Sequence, residues 1–409
     1  MGLYVKPVYL DADKCNGCVS CMKRCPTEAI RVRGGKATVR YERCVGCGEC
    51  VKVCSTHAKK ESCDGFDMLK NYEYTVALAC PSIYGQFNHL DNLDYVLNGL
   101  LKLGFDDVCD VGYYSRYVSA ATREYIKKTE IKPIISSACP AVRNLILMRY
   151  AHLLDHLSPL KQPEEAAAEA AVETAMKKTG LKREKIGVFL ITHCAANLLN
   201  KADPDNMIDG FISLKEIYFP LLSEMNKLKA KDLKPKAGCD AHGVSWGCST
   251  GESMGLGTKN FVVADGIENV MTVLNDLEHD KLGDIDFLEL NACTQGCVGG
   301  SMNLENPFLA RTRLRLFREK LPLADTKVED ISKYMRGKPY ESKESAFLLS
   351  DNRQEALRKM ILVKRIYDKL PKVNCGNCGA PTCKAFAEDV VNGLKVKCKF
   401  LKEDEIETK

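Results

Sequence analysis

No stretch of this chain approaches the roughly eighteen consecutive apolar residues that a membrane-spanning helix needs. The opening residues, MGLYVKPVYLDADKC, lack the apolar centre of a secretory leader. No G-x-G-x-x-G follows a segment that reads as a strand, so a nicotinamide cofactor would have to belong to a partner. Charge of one sign is scarce as well. Lys plus Arg number 59 and Asp plus Glu 54, a formal +5, too small an excess to mark a polyanion-binding surface. These absences point to a cytoplasmic protein with neither a membrane nor a nucleic-acid partner.

Cysteine is abundant: 21 of 409 residues, with 45% hydrophobic content to fill two or three domains. A chain this long is no disulfide-stapled miniature, and a reducing compartment with metal-bound thiolates fits better. Residues 15–26 read CNGCVSCMKRCP and residues 44–55 read CVGCGECVKVCS, the same C-x2-C-x2-C-x3-C pattern repeated 29 residues on. Three closely spaced thiolates grip one side of a cubane, and the fourth crosses to the other cluster. The expected 4Fe-4S ligand sets are Cys15, Cys18, Cys21 and Cys54, and Cys44, Cys47, Cys50 and Cys25. Zinc is the alternative, since paired C-x2-C motifs also hold it. Between the motifs, alternating residues around Gly34-Gly35 predict a hairpin.

Near the other end, VNCGNCGAPTCKAFAEDVVNGLKVKC supplies Cys375, Cys378, Cys383 and Cys398 for a further cubane, again with zinc as the alternative. KAFAEDVVNG predicts a short helix ended by Gly393. Residues 344–370 predict a helical connector.

In the middle, TVALAC (75–80), KPIISSAC (132–139), KIGVFLITHC (185–194), KNFVVAD (259–265) and DIDFLELNAC (284–293) predict strands. Residues 163–180 and DGIENVMTVLNDLEHD predict helices. This is α/β organisation, in which cofactors sit beyond the carboxyl ends of strands. That rule selects Cys139, Cys194 and Cys293, with Cys297 expected one helical turn onward, as a fourth cubane site. Cys63, Cys80, Cys109, Cys239 and Cys248 remain as buried small hydrophobes.

The segments SSACP (136–140), THCAAN (192–197) and ELNACTQGCVGG (289–300) resemble, in order, the three cluster-binding motifs of the iron-iron hydrogenases. The resemblance implies that Cys139, Cys194, Cys293 and Cys297 hold the cubane of an H-cluster. Cys297 would then bridge to a di-iron subcluster bearing carbon monoxide, cyanide and an azadithiolate. It also implies that Pro81 and Ser82 contact a cyanide. The implied fold is a hydrogenase-like domain of two α/β lobes (66–335), preceded by a two-cluster ferredoxin domain (1–65). A small, mainly helical 4Fe-4S domain with its connector (336–409) would follow.

Several positions depart from the family pattern. Ala138 stands where highly active members carry a proton-relaying cysteine, and a methyl group carries no proton. Asn197 replaces a lysine that pairs with a cyanide, and Thr192 and Asn291 replace methionines flanking the di-iron site. This set resembles the sensory branch of the family, in which the chain often continues into a signalling module. Here the residues end at Lys409, so the output is expected from a separate signalling protein.

The function expected is a slow, sensory hydrogenase acting on dihydrogen and protons, with a redox partner such as ferredoxin and a homodimer as one candidate assembly. The alternatives are a subunit of a larger redox complex and a hydrogenase-like iron-sulfur scaffold without the di-iron part. The C-terminal cluster is expected to serve communication, because the two N-terminal clusters already offer electrons a route to solvent.

Overall fold

The computed structural model describes residues 5–400. Its N-terminal part repeats one local motif. Single-turn helices Ser20–Lys23 and Glu49–Lys52 begin 29 residues apart, each entered through a left-handed residue, Val19 or Gly48. Each crossing cysteine then accepts a backbone N–H four residues on: Ala29 to Cys25 Sγ and Ala58 to Cys54 Sγ, both 3.2 Å. The expected hairpin is present, Ile30–Arg33 against Lys36–Val39. A second antiparallel pair, Val8–Leu10 with Lys59–Glu61, closes the unit.

The middle is α/β, built on two parallel sheets. The first has strand order Asp107–Asp110, Tyr74–Ala79, Ile186–Thr192, Gly210–Ser213. The second has order Phe261–Asp265, Phe287–Asn291, Ile134–Ile135. Continuous apolar runs form their central strands because helices cover both faces; every residue of Ile186–Thr192 is buried. The helix Pro163–Thr179 packs on the first sheet, with a capping box at Gln162 and Gly180 left-handed at its end.

Three expectations need correction. Residues 132–139 contribute only two strand residues, since the chain leaves the sheet at Ser136 towards Cys139. Cys293 to Cys297 is no helical turn. Gln295 and Gly296 are both left-handed (φ 66° and 81°), and a 3-10 turn, Gly296–Gly299, follows. The connector is helical chiefly over Arg353–Lys369, started by Asn352, whose Oδ1 accepts from the N–H groups of Gln354 and Glu355.

That helix packs against Cys383–Val391 through Val363, Ile366, Phe386 and Val390. Together they form the C-terminal unit, which sits on the N-terminal one. Val32 N–H donates to Gly379 O (3.0 Å), and Asp389 lies buried among Arg31, Arg33 and Arg40. Among the described residues, no helix is long and apolar enough to cross a membrane.

Candidate metal centres and the cavity beyond them

Cys15, Cys18, Cys21 and Cys54 line one cavity of about 320 Å³, closed by Leu10, Val32 and Ala37. Cys47 stands beside Cys25, Cys50 and Cys44, close enough for each to disfavour ionisation of its thiol. Burial comes first among the causes. It pushes Cys44 up to about 12 and Cys50 higher still. A thiol so buried ionises only against a strong positive charge, which a metal cluster supplies. At Cys54 burial is outweighed by hydrogen bonds from backbone N–H groups and Thr56, and its pKa falls. Gly17 and Gly46, both left-handed, let their loops touch neighbouring backbone; a Cβ on Gly46 would lie 2.7 Å from Ala196 Cα.

Cys375, Cys378, Cys383 and Cys398 line a second cavity of about 350 Å³. Cys375 is exposed and Cys383 buried. Among the described residues no three His, Cys, Asp or Glu side chains converge on a point suited to one metal ion. The cysteines stand around open volumes instead. The all-thiol donor sets and the N–H groups aimed at Cys25 and Cys54 sulfur fit cubane clusters.

The third group assembles where the two parallel sheets turn their carboxyl ends towards each other. Cys194 follows Ile186–Thr192, Cys293 follows Phe287–Asn291, and Cys139 caps the helix Pro140–Arg149. Burial raises Cys297 well above its ordinary value, and Cys139, Cys194 and Cys293 add to the effect. The structure thus gathers all four.

Beyond Cys297 lies a cavity of about 500 Å³ lined by Cys80, Pro81, Ser82, Ala138, Glu164, His193, Glu252, Glu289 and Asn291, among others. Of the residues singled out from sequence, Pro81, Ser82, Ala138 and Asn291 therefore reach it. Thr192 and Asn197 are outside its lining. They bond each other instead, Asn197 Nδ2 donating to Thr192 Oγ1 (3.1 Å), and Thr192 Oγ1 accepts from Cys194 N. Ser82 Oγ lies 3.0 Å from His193 Nδ1, and burial lowers His193 to about 4, so the ring is neutral.

Sequence reasoning missed the acids. Glu252 is buried, and burial followed by the nearby Glu289 raises it to about 8. Ser136 Oγ donates to Glu252 Oε2 (2.6 Å) and accepts from Ala138 N (3.1 Å). Glu289 accepts from Thr250 N and Ser253 N. Glu164 is raised by burial and takes the Cys80 thiol at 3.6 Å. The acids come from a helix, a loop and a strand, so spacing along the chain gives no sign of them. Only Cys80 sat at a predicted strand end, where a ligand role could have been weighed.

Two lysines stand among the cysteine groups. Burial would lower Lys52, but the neighbouring Cys293 and Glu49 raise it. Lys59 is 2% exposed and its Nζ has no hydrogen-bond partner among the described residues. Its charge acts on Cys21, Cys44 and Cys50, so it stands between the first two cysteine groups.

Three family models match the chain in the order of this layout. The family described as "4Fe-4S dicluster domain" matches residues 7–55, and the family described as "Putative Fe-S cluster" matches residues 370–399. Among solved structures, an FeFe-hydrogenase HydA(deltaEFG) is 14% identical, covering 78% of this chain and 93% of its own, with a TM-score of 0.45. An apo variant of FeFe-hydrogenase HydA1 from Chlamydomonas reinhardtii is 16% identical over 78% of this chain and 93% of its own, with a TM-score of 0.44. The family described as "Iron only hydrogenase large subunit, C-terminal domain" matches residues 73–251 and 224–301. That match takes in more than half of the sequence and most of the central region, so the chain belongs to the iron-only hydrogenase large-subunit family.

Proposed function

We propose that this chain is a multi-cluster iron-sulfur protein that oxidises dihydrogen slowly and reversibly, in a sensing role. In this reading the four cysteine groups hold four 4Fe-4S clusters, and Cys297 joins the innermost one to a di-iron subcluster with carbon monoxide, cyanide and azadithiolate ligands. When bound, that subcluster would supply the cleavage of dihydrogen into two protons and two electrons.

The observation that carries the reading is the cavity beyond Cys297. Pro81, Ser82, Ala138 and Asn291 line it, together with the buried carboxyl-bearing residues Glu252 and Glu289. At Ala138 the chain offers no side-chain proton carrier, which favours low turnover. Ser136 and Glu252 lie directly behind it, and Glu252, at about 8, exchanges protons near neutrality. Ser82 and the neutral His193 can present hydrogen bonds to a polar ligand. Slow turnover with tight coupling between gas binding and cluster redox state suits a sensor, and its output would pass to a separate protein.

Family membership speaks more directly for the iron-sulfur framework than for hydrogen chemistry. A hydrogenase-like scaffold without the di-iron part is therefore the second reading, favoured by the loss of a proton carrier at Ala138. Infrared spectroscopy of protein matured in a competent host separates the two. Carbonyl and cyanide stretches together with dihydrogen oxidation are expected. Their absence from a preparation with a full complement of cubanes would select the scaffold.

A further inference from the structure

A further cleft, of about 840 Å³, lies along the helix Pro140–Arg149, which Cys139 caps. The helix contributes Arg143, Asn144 and Leu147 to its wall. The 3-10 segment Ala195–Ala202, which Cys194 caps, contributes Leu199 and Ala202. Residues 336–343, where the chain leaves the central region for the C-terminal unit, close the remaining side. Their backbone is pinned at both ends: Arg336 N–H donates to Pro159 O (3.0 Å) and Lys343 N–H to Leu147 O (2.7 Å). Lys338, Pro339, Glu341 and Lys343 are exposed, so the cleft opens to solvent there.

Arg143 is only 4% exposed, yet among the described residues no carboxylate pairs with its guanidinium. Nη2 donates to Asn200 Oδ1 (2.5 Å), and the Tyr340 ring centre lies 5.3 Å from the guanidinium carbon. Nη1 is buried and has no hydrogen-bond partner among the described residues. Lys343 lines the same cleft; its Nζ donates to Asn144 Oδ1 (3.0 Å) and has no carboxylate partner either. Burial lowers the Lys343 pKa and the Arg143 charge lowers it further, with Asp203 offsetting part of the shift. Asp203 itself is held by Arg336 through both oxygens, at 2.9 and 2.8 Å, and Glu341 is exposed at the mouth. Two cations are therefore crowded together without an anion between them. That arrangement is costly unless a negative charge joins them.

We propose that this cleft binds a phosphoryl oxyanion, free or carried by a small molecule, between Arg143 Nη1 and the Lys343 ammonium. A guanidinium beside an ammonium suits a dianion better than a single carboxylate, and the guanidinium fork matches the oxygens of a phosphoryl group. Lys338 adds a third cation at the entrance. Leu147, Leu199 and Pro204 offer apolar surface to whatever the phosphoryl group is attached to. The site also has a route to the central cysteines. Arg143 N–H donates to Cys139 O (3.0 Å), and Arg143 Nη2 reaches Asn200 in the segment that Cys194 caps. Occupation thus ties two of the elements that carry the central cysteines to residues 336–343, whichever cofactor those cysteines hold.

The test uses the full chain, reconstituted with iron and sulfide, in phosphate-free buffer. Calorimetry with inorganic phosphate should show one saturable site, and phenyl phosphate should compete for it. Tighter binding of phenyl phosphate identifies a phosphomonoester as the occupant; equal or weaker binding identifies free phosphate. Lys343→Gln, at an exposed position, should weaken both probes by about tenfold. Arg143→Met should abolish binding; should it fail to fold, the Lys343 variant decides alone. Lys281→Gln removes a surface cation that pairs with Asp276 outside the cleft, and should leave binding unchanged. No saturable binding of either probe to the parent up to about 10 mM overturns the proposal. Unchanged affinity in Lys343→Gln, or an equal loss in Lys281→Gln, overturns it as well.

Discussion

Arg31 and Asp389 form a buried pair 358 positions apart in sequence. Arg31 Nε donates to Asp389 Oδ2 at 2.7 Å and Nη2 to Oδ1 at 3.1 Å, with neither side chain more than 2% exposed. Arg40 adds a bond at 2.7 Å, and Arg33 completes the cage. Burial alone would raise the Asp389 pKa, but the three guanidinium groups lower it overall. Its contribution to stability is therefore full above the ordinary carboxylate range and lost only as pH falls through the lowered value. Asp389→Ala leaves three cations around an empty site and should cost roughly 3–5 kcal/mol. Limited proteolysis between residues 340 and 375 should become rapid in the variant at neutral pH. Parent-like resistance would show that the apolar contacts alone seat the C-terminal unit.

The cysteine groups predict metal content. Four complete sets imply about sixteen irons without the di-iron part and about eighteen with it. Replacing Cys375 and Cys378 by serine should remove about four irons and leave the signals of the other clusters in place. A chain that reconstitutes only about eight irons would confine the clusters to the N-terminal unit.

Much of this was legible in the sequence, for reasons that also explain what was not. The cysteine groups could be read because a cubane imposes close spacing on its ligands. The central strands could be read because burial on both faces demands continuous apolar runs such as VFLIT. Asp107–Asp110 and Gly210–Ser213 escaped notice: each is four residues long, and the first carries two aspartates. Asp107 is tolerated because Lys178 and Lys236 hold it, at 2.9 and 2.7 Å. The acid cluster and the seating of the C-terminal unit were invisible because their partners are brought together only by the tertiary fold, as Ser136 and Glu252 are.

Ala138 gives a rate prediction. Ala138→Cys places a thiol on the wall of the Cys297 cavity, beside the Ser136 hydroxyl that reaches Glu252. Dihydrogen oxidation by matured protein should rise by at least about tenfold, short of the roughly 10²–10⁴ of a fully connected acid. An unchanged rate, with infrared bands intact, would show that a step other than proton removal at this wall limits turnover.

Glu252 links the same wall to stability. Its carboxyl keeps its proton to about pH 8 in the folded chain, whereas an unfolded glutamate loses it near pH 4.3. The folded state therefore binds more protons between these values, and stability falls as pH rises across that window. Glu252→Gln removes the dependence. The melting temperature of the variant should match the parent near pH 5 and exceed it increasingly towards pH 8. A constant difference across the range would mean that Glu252 is already ionised in the folded protein.

Lys59 should set the potentials of the N-terminal clusters. The 29-residue repeat places it opposite Ile30, which is buried in the first half as an aliphatic side chain ordinarily is. A buried ammonium without a hydrogen-bond partner is costly unless nearby negative charge offsets it. Two clusters bound by Cys21, Cys44 and Cys50 would provide that charge, and each would become easier to reduce in return. At an effective dielectric constant of about 20 and a separation of roughly 8 Å, one charge is worth about 2 kcal/mol. For a one-electron couple this is on the order of 90 mV. Lys59→Ile restores the residue of the first repeat, so packing should survive. Redox titration followed by electron paramagnetic resonance should find both N-terminal clusters several tens of millivolts harder to reduce, with the C-terminal cluster almost unmoved. Equal shifts at all clusters would point to a general loosening of the fold, and no shift would mean that solvent screens Lys59 in the folded protein.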